Sequence, residues 1–346
     1  MNPLDTYNAI TDVLRVTAMI GYPLQVVLAA AAAVLAVFAL LPAARDWRDR
    51  MLTAMAVLLV AGEGVLLWLH WRLYQLAVVV DPATGLVTGH VTAPLWIESE
   101  KLYAWALLTC LMGVFMRRHR SELLSGVMLI VALLTAGAAL LGQPFTSPLP
   151  GFIGQYSGYL QAMAQGGQIA AQGLDGMEGA RQGYYNAWYM WVHPPLLFLS
   201  YGAFSVSFVA TWEMIRARHS AFETTAYRWA QLGYLPLTLG MLLGLPWALM
   251  SWQGEAWWWS GKVNMSIMMW MLYTAYLHAR LYLRRQGMWK AVAILAVMSF
   301  VILVLTYIAT YVVPGAHSYA AGATPLAVAA TRLASAGAAS CRGGVA

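Results

Sequence analysis

Eight apolar stretches, each near the length a bilayer demands, constrain this chain more than any other feature. A helix needs about 20 consecutive apolar residues to cross the ~30 Å hydrocarbon core. Such stretches occupy 20–41, 52–71, 102–116 (short, with its helix expected to extend backwards), 123–142, 188–214, 229–250, 263–283 and 291–313. Composition agrees: 61% of the 346 residues are hydrophobic and 10% are charged, against roughly 45–50% and 25% in soluble domains. So few charges cannot cover so much apolar surface in water. The expected fold is all-α: a polytopic membrane helix bundle of about eight transmembrane helices.

The charges orient the bundle. Connections at 42–50, 117–122, 215–228 and 281–290, the last with Arg280 just before it, carry Arg45, Arg48, Arg50, Arg117, Arg118, Arg120, Arg216, Arg218, Arg228, Arg280, Arg284, Arg285 and Lys290, thirteen of the twenty Lys and Arg residues. The positive-inside rule places that side in the cytoplasm, and both termini outside. The expected location is a bacterial inner membrane, crossed many times. The net charge of +6 and a pI near 9.3 do not imply a nucleic-acid partner, because the basic residues fall in short clusters between apolar spans. Cys110 and Cys341, the two cysteines, exclude a disulfide framework and provide no CxxC redox pair or haem c attachment site. The opening residues MNPLDTYNAITDVLRV lack the basic region of a cleaved signal peptide.

Four regions follow from this pattern. Residues 1–142 hold four N-terminal transmembrane helices. Residues 143–187 form a long outer connection in which Phe152, Tyr156, Tyr159, Leu160 and Met163 recur at helical spacing, predicting a helix lying on the outer surface. Residues 188–319 hold four more spans, and 320–346 form an Ala/Gly/Ser-rich tail. No internal repeat is present. Residues 80–100, with His90, and 251–262 are further outer connections longer than a turn.

The outer side also collects chemistry. His193 opens the fifth span in WVHPPLLFLSYGAF, and His317 follows the eighth in YVVPGAHSYA. Between them WQGEAWWWSGK joins spans six and seven. Two histidines flanking an aromatic shelf can ligate a haem iron from both sides, with Trp252, Trp257, Trp258 and Trp259 as a platform. A single interfacial histidine or tryptophan is ordinary in a membrane protein, so the weight rests on their conjunction.

These residues also carry a family likeness. WVHPPLLFLSYGAFSVSF, LTLGMLLGLPWA at 237–248, WWWSGKVNMSIMMWMLYTAYLHARL at 257–281 and TYIATYVVPGAHSYA resemble, in that order, motifs of the WWD-domain haem-handling proteins of cytochrome c biogenesis, of CcmF and CcsA type. GQPFTSPLPG at 142–151 is a weaker echo, and the likeness covers roughly 140–320. The resemblance implies His193 and His317 as outer-face haem ligands and the four tryptophans as the platform. It also implies His278, in YLHARL, as ligand to a second haem, of b type, within the membrane. The implied partners are haem and an apocytochrome c or c-type cytochrome. The family's loop reads WxWD, then Pro and, two residues on, Glu. Here those three positions hold Ser260, Gly261 and Val263, with Lys262 between the lost carboxylates.

Two polar residues lie inside the second span. Glu63 is suited to relaying protons or to pairing with Arg or His inside the bundle. His70 falls too near the outer surface to share a haem with His278; an outer-half haem, a quinone or a helix interface are its alternatives. Two functions remain in view. One is transfer of haem to an apocytochrome. The other is a repurposed integral haem b (or structural) subunit of a respiratory or photosynthetic complex, with other membrane subunits, passing electrons between quinone and c-type cytochrome. The lost loop carboxylates favour the second.

Overall fold

The computed structural model describes residues 2–117, 121–218, 220–251, 261–283 and 286–312. Their elements are α1 (Pro3–Leu40), α2 (Arg48–Leu76), β1 (Val78–Val80), β2 (Val87–His90), α3 (Lys101–Met116), α4 (Leu124–Gly137), α5 (Pro150–Gln165), α6 (Gly167–Ala180), α7 (Trp188–Ala217), α8 (Glu223–Ser251), α9 (Gly261–Leu283) and α10 (Trp289–Val312). Eight of these helices lie over the eight apolar stretches. By length and composition five segments can cross a bilayer: α1, 42–76 containing α2, 124–142 containing α4, α7, and 289–309 of α10. The protein is an all-α polytopic membrane bundle, and β1–β2 is a small hairpin in a connection. The helix over the third stretch does not extend far backwards. Its 16 residues span about 24 Å at 1.5 Å per residue, preceded by one 3₁₀ turn at Glu98–Glu100.

The chain divides into two compact units, Met1–Ser251 and Trp252–Ala346. In the first unit the basic connections meet at one end. The Arg117 guanidinium lies 3.2 Å from Asp49 and also donates to the Thr53 hydroxyl. Arg48 donates to the Phe38 carbonyl at 3.3 Å, and Ser125 to the Ala39 carbonyl at 2.6 Å. The loops at 42–50 and 117–122 therefore share a face, as their charge implied. The core beside them has heptad character on α2. Leu52, Leu59, Leu66 and Leu73 repeat every seven residues and are essentially inaccessible, with Met55, Gly62 and Leu69 between them. Such spacing keeps one seam of a helix facing its neighbours. Glycine at 62 is required by close approach, since a Cβ there would overlap the Tyr103 hydroxyl.

At the opposite end the first unit builds a head that the hydropathy pattern does not show. α1 begins at Pro3, capped by the Asn2 side chain accepting from the Leu4 N–H. Its 38 residues run about 57 Å, far longer than the stretch at 20–41 requires. The surplus packs Ile10 and Val13 against Leu69, Leu73, Val79, Val91, Phe152, Tyr156 and Tyr159. The helix expected on the outer surface is α5, whose Phe152, Tyr156, Tyr159 and Leu160 are buried. Its apolar stripe packs with the hairpin.

That partnership replaces a third strand. β1 pairs antiparallel with β2, Val78 opposite His90 and Val79 opposite Gly89. On its other edge the Tyr156 hydroxyl accepts from the Val78 N–H at 2.9 Å and donates to the Val78 carbonyl at 2.8 Å. Tyr159 treats Val80 likewise, at 2.7 and 3.1 Å. Residues i and i+3 of a helix thus meet residues i and i+2 of a strand. Tyr156→Phe leaves a buried N–H and C=O of Val78 unpaired and is expected to cost about 1–3 kcal/mol. Thermal unfolding of the detergent-solubilised protein, with limited proteolysis at 78–90, measures it. Unchanged unfolding in the Tyr156→Phe, Tyr159→Phe pair would show the edge to be sealed another way.

In the second unit α9 and α10 form a helical hairpin. Met269, Tyr273, Tyr276 and Arg280 make the buried stripe of α9. His278 lies two residues from Tyr276, on the opposite side of the helix.

Candidate functional site

His193 stands in the second turn of α7, and α8 controls its ring. Its Nδ1 lies 2.6 Å from the Gly240 carbonyl oxygen. A carbonyl only accepts, so Nδ1 carries the proton, and in the neutral ring Nε2 holds the lone pair. One turn further along α8, a Cβ on Gly244 would stand 2.8 Å from the His193 Cε1 and 3.0 Å from its Nδ1. Only a glycine lets the helix lie against the imidazole. Gly233 continues the stripe, where a Cβ would meet the Phe204 ring at 2.7 Å. The GxxxG spacing of Gly240 and Gly244 is a known route to close approach between membrane helices. LTLGMLLGLPWA carries this small-residue spacing.

The other sequence-derived site residues divide by position. Lys262 is half-buried in the first turn of α9, with Val263 beside it. His278 is exposed, and its Nδ1 lies 2.8 Å from the Thr274 carbonyl one turn back. That bond again puts the proton on Nδ1. His193 and His278 each have one ring N–H donated to a carbonyl, as metal-ligating imidazoles commonly do, a bond that His70 and His90 share. Trp252, Trp257, Trp258, Trp259, Ser260 and His317 lie outside the described residues. Among the described residues no group of three or more His, Cys, Asp or Glu is arranged to hold a bare metal ion.

A second polar cluster sits where the core of the first unit meets its head. His70 is 7% exposed and Glu100 1%. The His70 Nδ1 lies 3.0 Å from the Ala93 carbonyl, and its Nε2 2.8 Å from Glu100 Oε1. Glu100 Oε2 accepts the Trp96 backbone N–H at 2.9 Å. The Trp96 indole N–H in turn donates to Glu63 Oε1 at 2.8 Å. Both ring nitrogens of His70 are thus engaged by protein groups. The neighbouring Trp71 is 58% exposed, and Arg72 donates to Gln75.

The segment joining these groups is tightly wound. Trp96 and Glu98 have φ of 63° and 46°, the left-handed region that costs a non-glycine residue about 1–3 kcal/mol and collects at functional sites. The conformation turns the Trp96 ring edge-on to Phe198 of α7, with centroids 6.5 Å apart at 84°. Glu98 caps α5 by accepting from the Gly151 and Phe152 N–H groups at 2.7 and 3.1 Å. Burial pushes its carboxyl above the ordinary range, against those donors and nearby Lys101. Glu98, Glu100 and Trp96 were not singled out from sequence. The acidic run WIESEK gives no hint that one carboxylate turns inward and another caps a helix.

Residues 95–317 match the family model described as cytochrome C assembly protein. The chain belongs to this family. The match starts well before residue 140, where the motifs become legible, and takes in Trp96, Glu98 and Glu100 as well as His193, His278 and His317. Cytochrome c biogenesis protein CcsA of Prochlorococcus marinus (strain NATL1A) is 38% identical over 98 residues, which cover 28% of this chain and 30% of that protein. CcsA of Synechococcus sp. (strain WH7803) is 35% identical over 104 residues, 30% of this chain and 32% of that protein. The alignments thus span about a third of these curated relatives.

Proposed function

We propose that this member of the family handles haem at the outer face of a bacterial inner membrane and delivers it to an apocytochrome c. The observation that carries the reading is His193. It stands in a family motif with Nδ1 committed to the Gly240 carbonyl and a glycine cradle at Gly244 against its ring. That donor set fits a haem iron, which favours a neutral imidazole nitrogen. With His193, His317 would hold the iron, Trp252, Trp257, Trp258 and Trp259 would support the macrocycle, and Lys262 would pair with a propionate. His278 serves a second haem, of b type. When bound, haem supplies the vinyl groups to which acceptor thiols add. The chain's own residues ligate and orient: Gly240 keeps the His193 proton on Nδ1, and Gly244 fixes the ring plane.

One observation favours a second reading. Ser260 and Val263 stand where the family's loop carries carboxylates, so a haem here can be retained rather than released. The protein would then be an integral haem b subunit of an electron-transfer complex, with partner membrane subunits, a quinone and a c-type cytochrome.

Absorption spectra and a pyridine haemochrome assay on the purified protein, with co-purifying chains identified, test both. His193→Ala and His317→Ala are expected each to remove an outer-face haem and to leave a haem on His278. Unchanged haem content in both variants would remove them as ligands. Substoichiometric, exchangeable haem supports delivery. Stoichiometric haem with stable multihaem partners supports the electron-transfer subunit.

A further inference from the structure

The cluster of Glu63, Trp96, Glu100 and His70 is not used by any step of haem handling, and its hydrogen bonds can be counted. The Ala93 carbonyl accepts only, so His70 Nδ1 carries a proton. The 2.8 Å contact between His70 Nε2 and Glu100 Oε1 requires one more proton between them. Whichever atom holds it, that pair is neutral overall. Glu100 Oε2 is satisfied by the Trp96 N–H. Glu63 Oε1 is satisfied by the Trp96 indole. Glu63 Oε2 differs: it is buried and has no hydrogen-bond partner.

Among the described residues, the titratable groups that act on Glu63 include no cation without a carboxylate partner of its own. The titratable groups facing it are Glu100 and His70, already paired with each other, and Tyr103 of α3. The Tyr103 hydroxyl donates to the Leu59 carbonyl, one turn before Glu63. Arg72, the nearest cation in sequence, donates to Gln75, and Lys101 faces Glu98. An ionised Glu63 would be an uncompensated charge beside a neutral pair, whereas a proton on Oε2 leaves the cluster neutral. Ionisable groups in membrane helices are functional by default, and proton relays are among the roles they serve.

We propose that Glu63, held by Trp96 beside the His70–Glu100 pair, is a proton-exchange site at the junction of membrane bundle and head. The exchange is a plain acid–base step. Glu63 Oε2 takes a proton from hydronium, releasing water, and returns it to water or hydroxide, with no electron or covalent bond transferred to the protein. The proposal does not depend on haem, and it gives α2 a role apart from the histidine motifs. Because one indole and one backbone N–H of the strained Trp96 reach both carboxylates, a change of charge at Glu63 bears directly on the 93–100 segment that leads into α3.

Infrared difference spectra of the full-length protein in lipid nanodiscs, between neutral and alkaline pH in H2O and D2O, test this without haem or acceptor. The expected result is one protonated-carboxyl C=O band at neutral pH that shifts in D2O and disappears on alkalinisation. It should be absent from Glu63→Gln, present unchanged in the exposed control Glu122→Gln, and displaced in Glu63→Asp, which keeps the acid but shortens its reach. A wild-type spectrum without a titrating carboxyl band overturns the proposal, as does a band identical in wild type and Glu63→Asp. Should Glu63→Gln fail to fold, the wild-type titration and the aspartate variant decide. Loss of outer-face haem in His193→Ala leaves this band in place, so failure of the haem reading and failure of the proton site are separately visible.

Discussion

Gly244→Leu is expected to cut haem retention by about 10–100-fold, the usual cost of disturbing the group that orients a metal-bound histidine, while every proposed ligand stays in the sequence. Even the first carbon of the new side chain would fall 2.8 Å from the His193 Cε1, closer than nonbonded carbons approach. The imidazole must swing away and release the Gly240 carbonyl, so proton and lone pair are no longer fixed to their nitrogens. Gly244→Ala should show a smaller loss. Gly64→Ala on α2, where nothing lies within 4 Å of the added carbon, should show none. Nitrogen-15 spectra of histidine-labelled protein provide a readout free of haem. The His193 signals should report a protonated Nδ1 in the native protein and lose that signature in Gly244→Leu. Full haem retention with a displaced ring would separate the histidine from haem binding altogether.

What made the bundle legible was scale. A span of some twenty apolar residues is a long signal, and arginine clusters punctuate it. Arg117 on Asp49 and Ser125 on the Ala39 carbonyl bear out that two of those clusters share a face. The head was not legible for the converse reason. Residues 3–19 mix Asp5, Asp12 and Arg15 with Ile10 and Val13, which reads as polar and mixed in charge. Yet an amphipathic helix needs only one apolar stripe, and that stripe finds α5 and the hairpin. VVV at 78–80 is too short to announce a strand. The two tyrosines that complete it lie some eighty residues away, and no local pattern ties them together.

The site shows the same division. His193, His278 and His317 stand out as candidates because a histidine is rare in apolar sequence and because flanking residues carry a family pattern. Gly240 and Gly244 act through what they lack, and a missing Cβ matters only once the facing helix is known. Glu63 and His70 were visible as polar residues in a span, but Trp96 and Glu100 come from a different connection. Hydropathy ranks the acids of WIESEK alike; only the left-handed turns at Trp96 and Glu98 send one carboxylate to α5 and another to His70.

Glu100→Ala is expected to destabilise the folded protein by about 3–5 kcal/mol, the range for removing one partner of a buried ion pair. The loss has two parts. His70, 7% exposed, keeps its ring in place but faces a void at Nε2. The Trp96 N–H, 2.9 Å from the vanished Oε2, loses its acceptor in a backbone conformation that already carries strain. Glu100→Gln should cost far less. Its amide NH2 can donate to the His70 Nε2 lone pair, and its oxygen can accept from Trp96, so every polar atom stays paired while the shared proton is gone. The contrast separates hydrogen bonding from charge. If charge attraction held the junction, glutamine would behave like alanine; if satisfied hydrogen bonds hold it, glutamine would behave like wild type. A double-mutant cycle with His70→Phe completes the test: Glu100→Ala in that background should cost less than it does alone, because no imidazole is left unpaired. Thermal and denaturant unfolding in detergent give the ordering. Equal costs for Glu100→Ala and Glu100→Gln, additive with His70→Phe, would mean that the 2.8 Å contact contributes nothing to holding the 93–100 segment on α2.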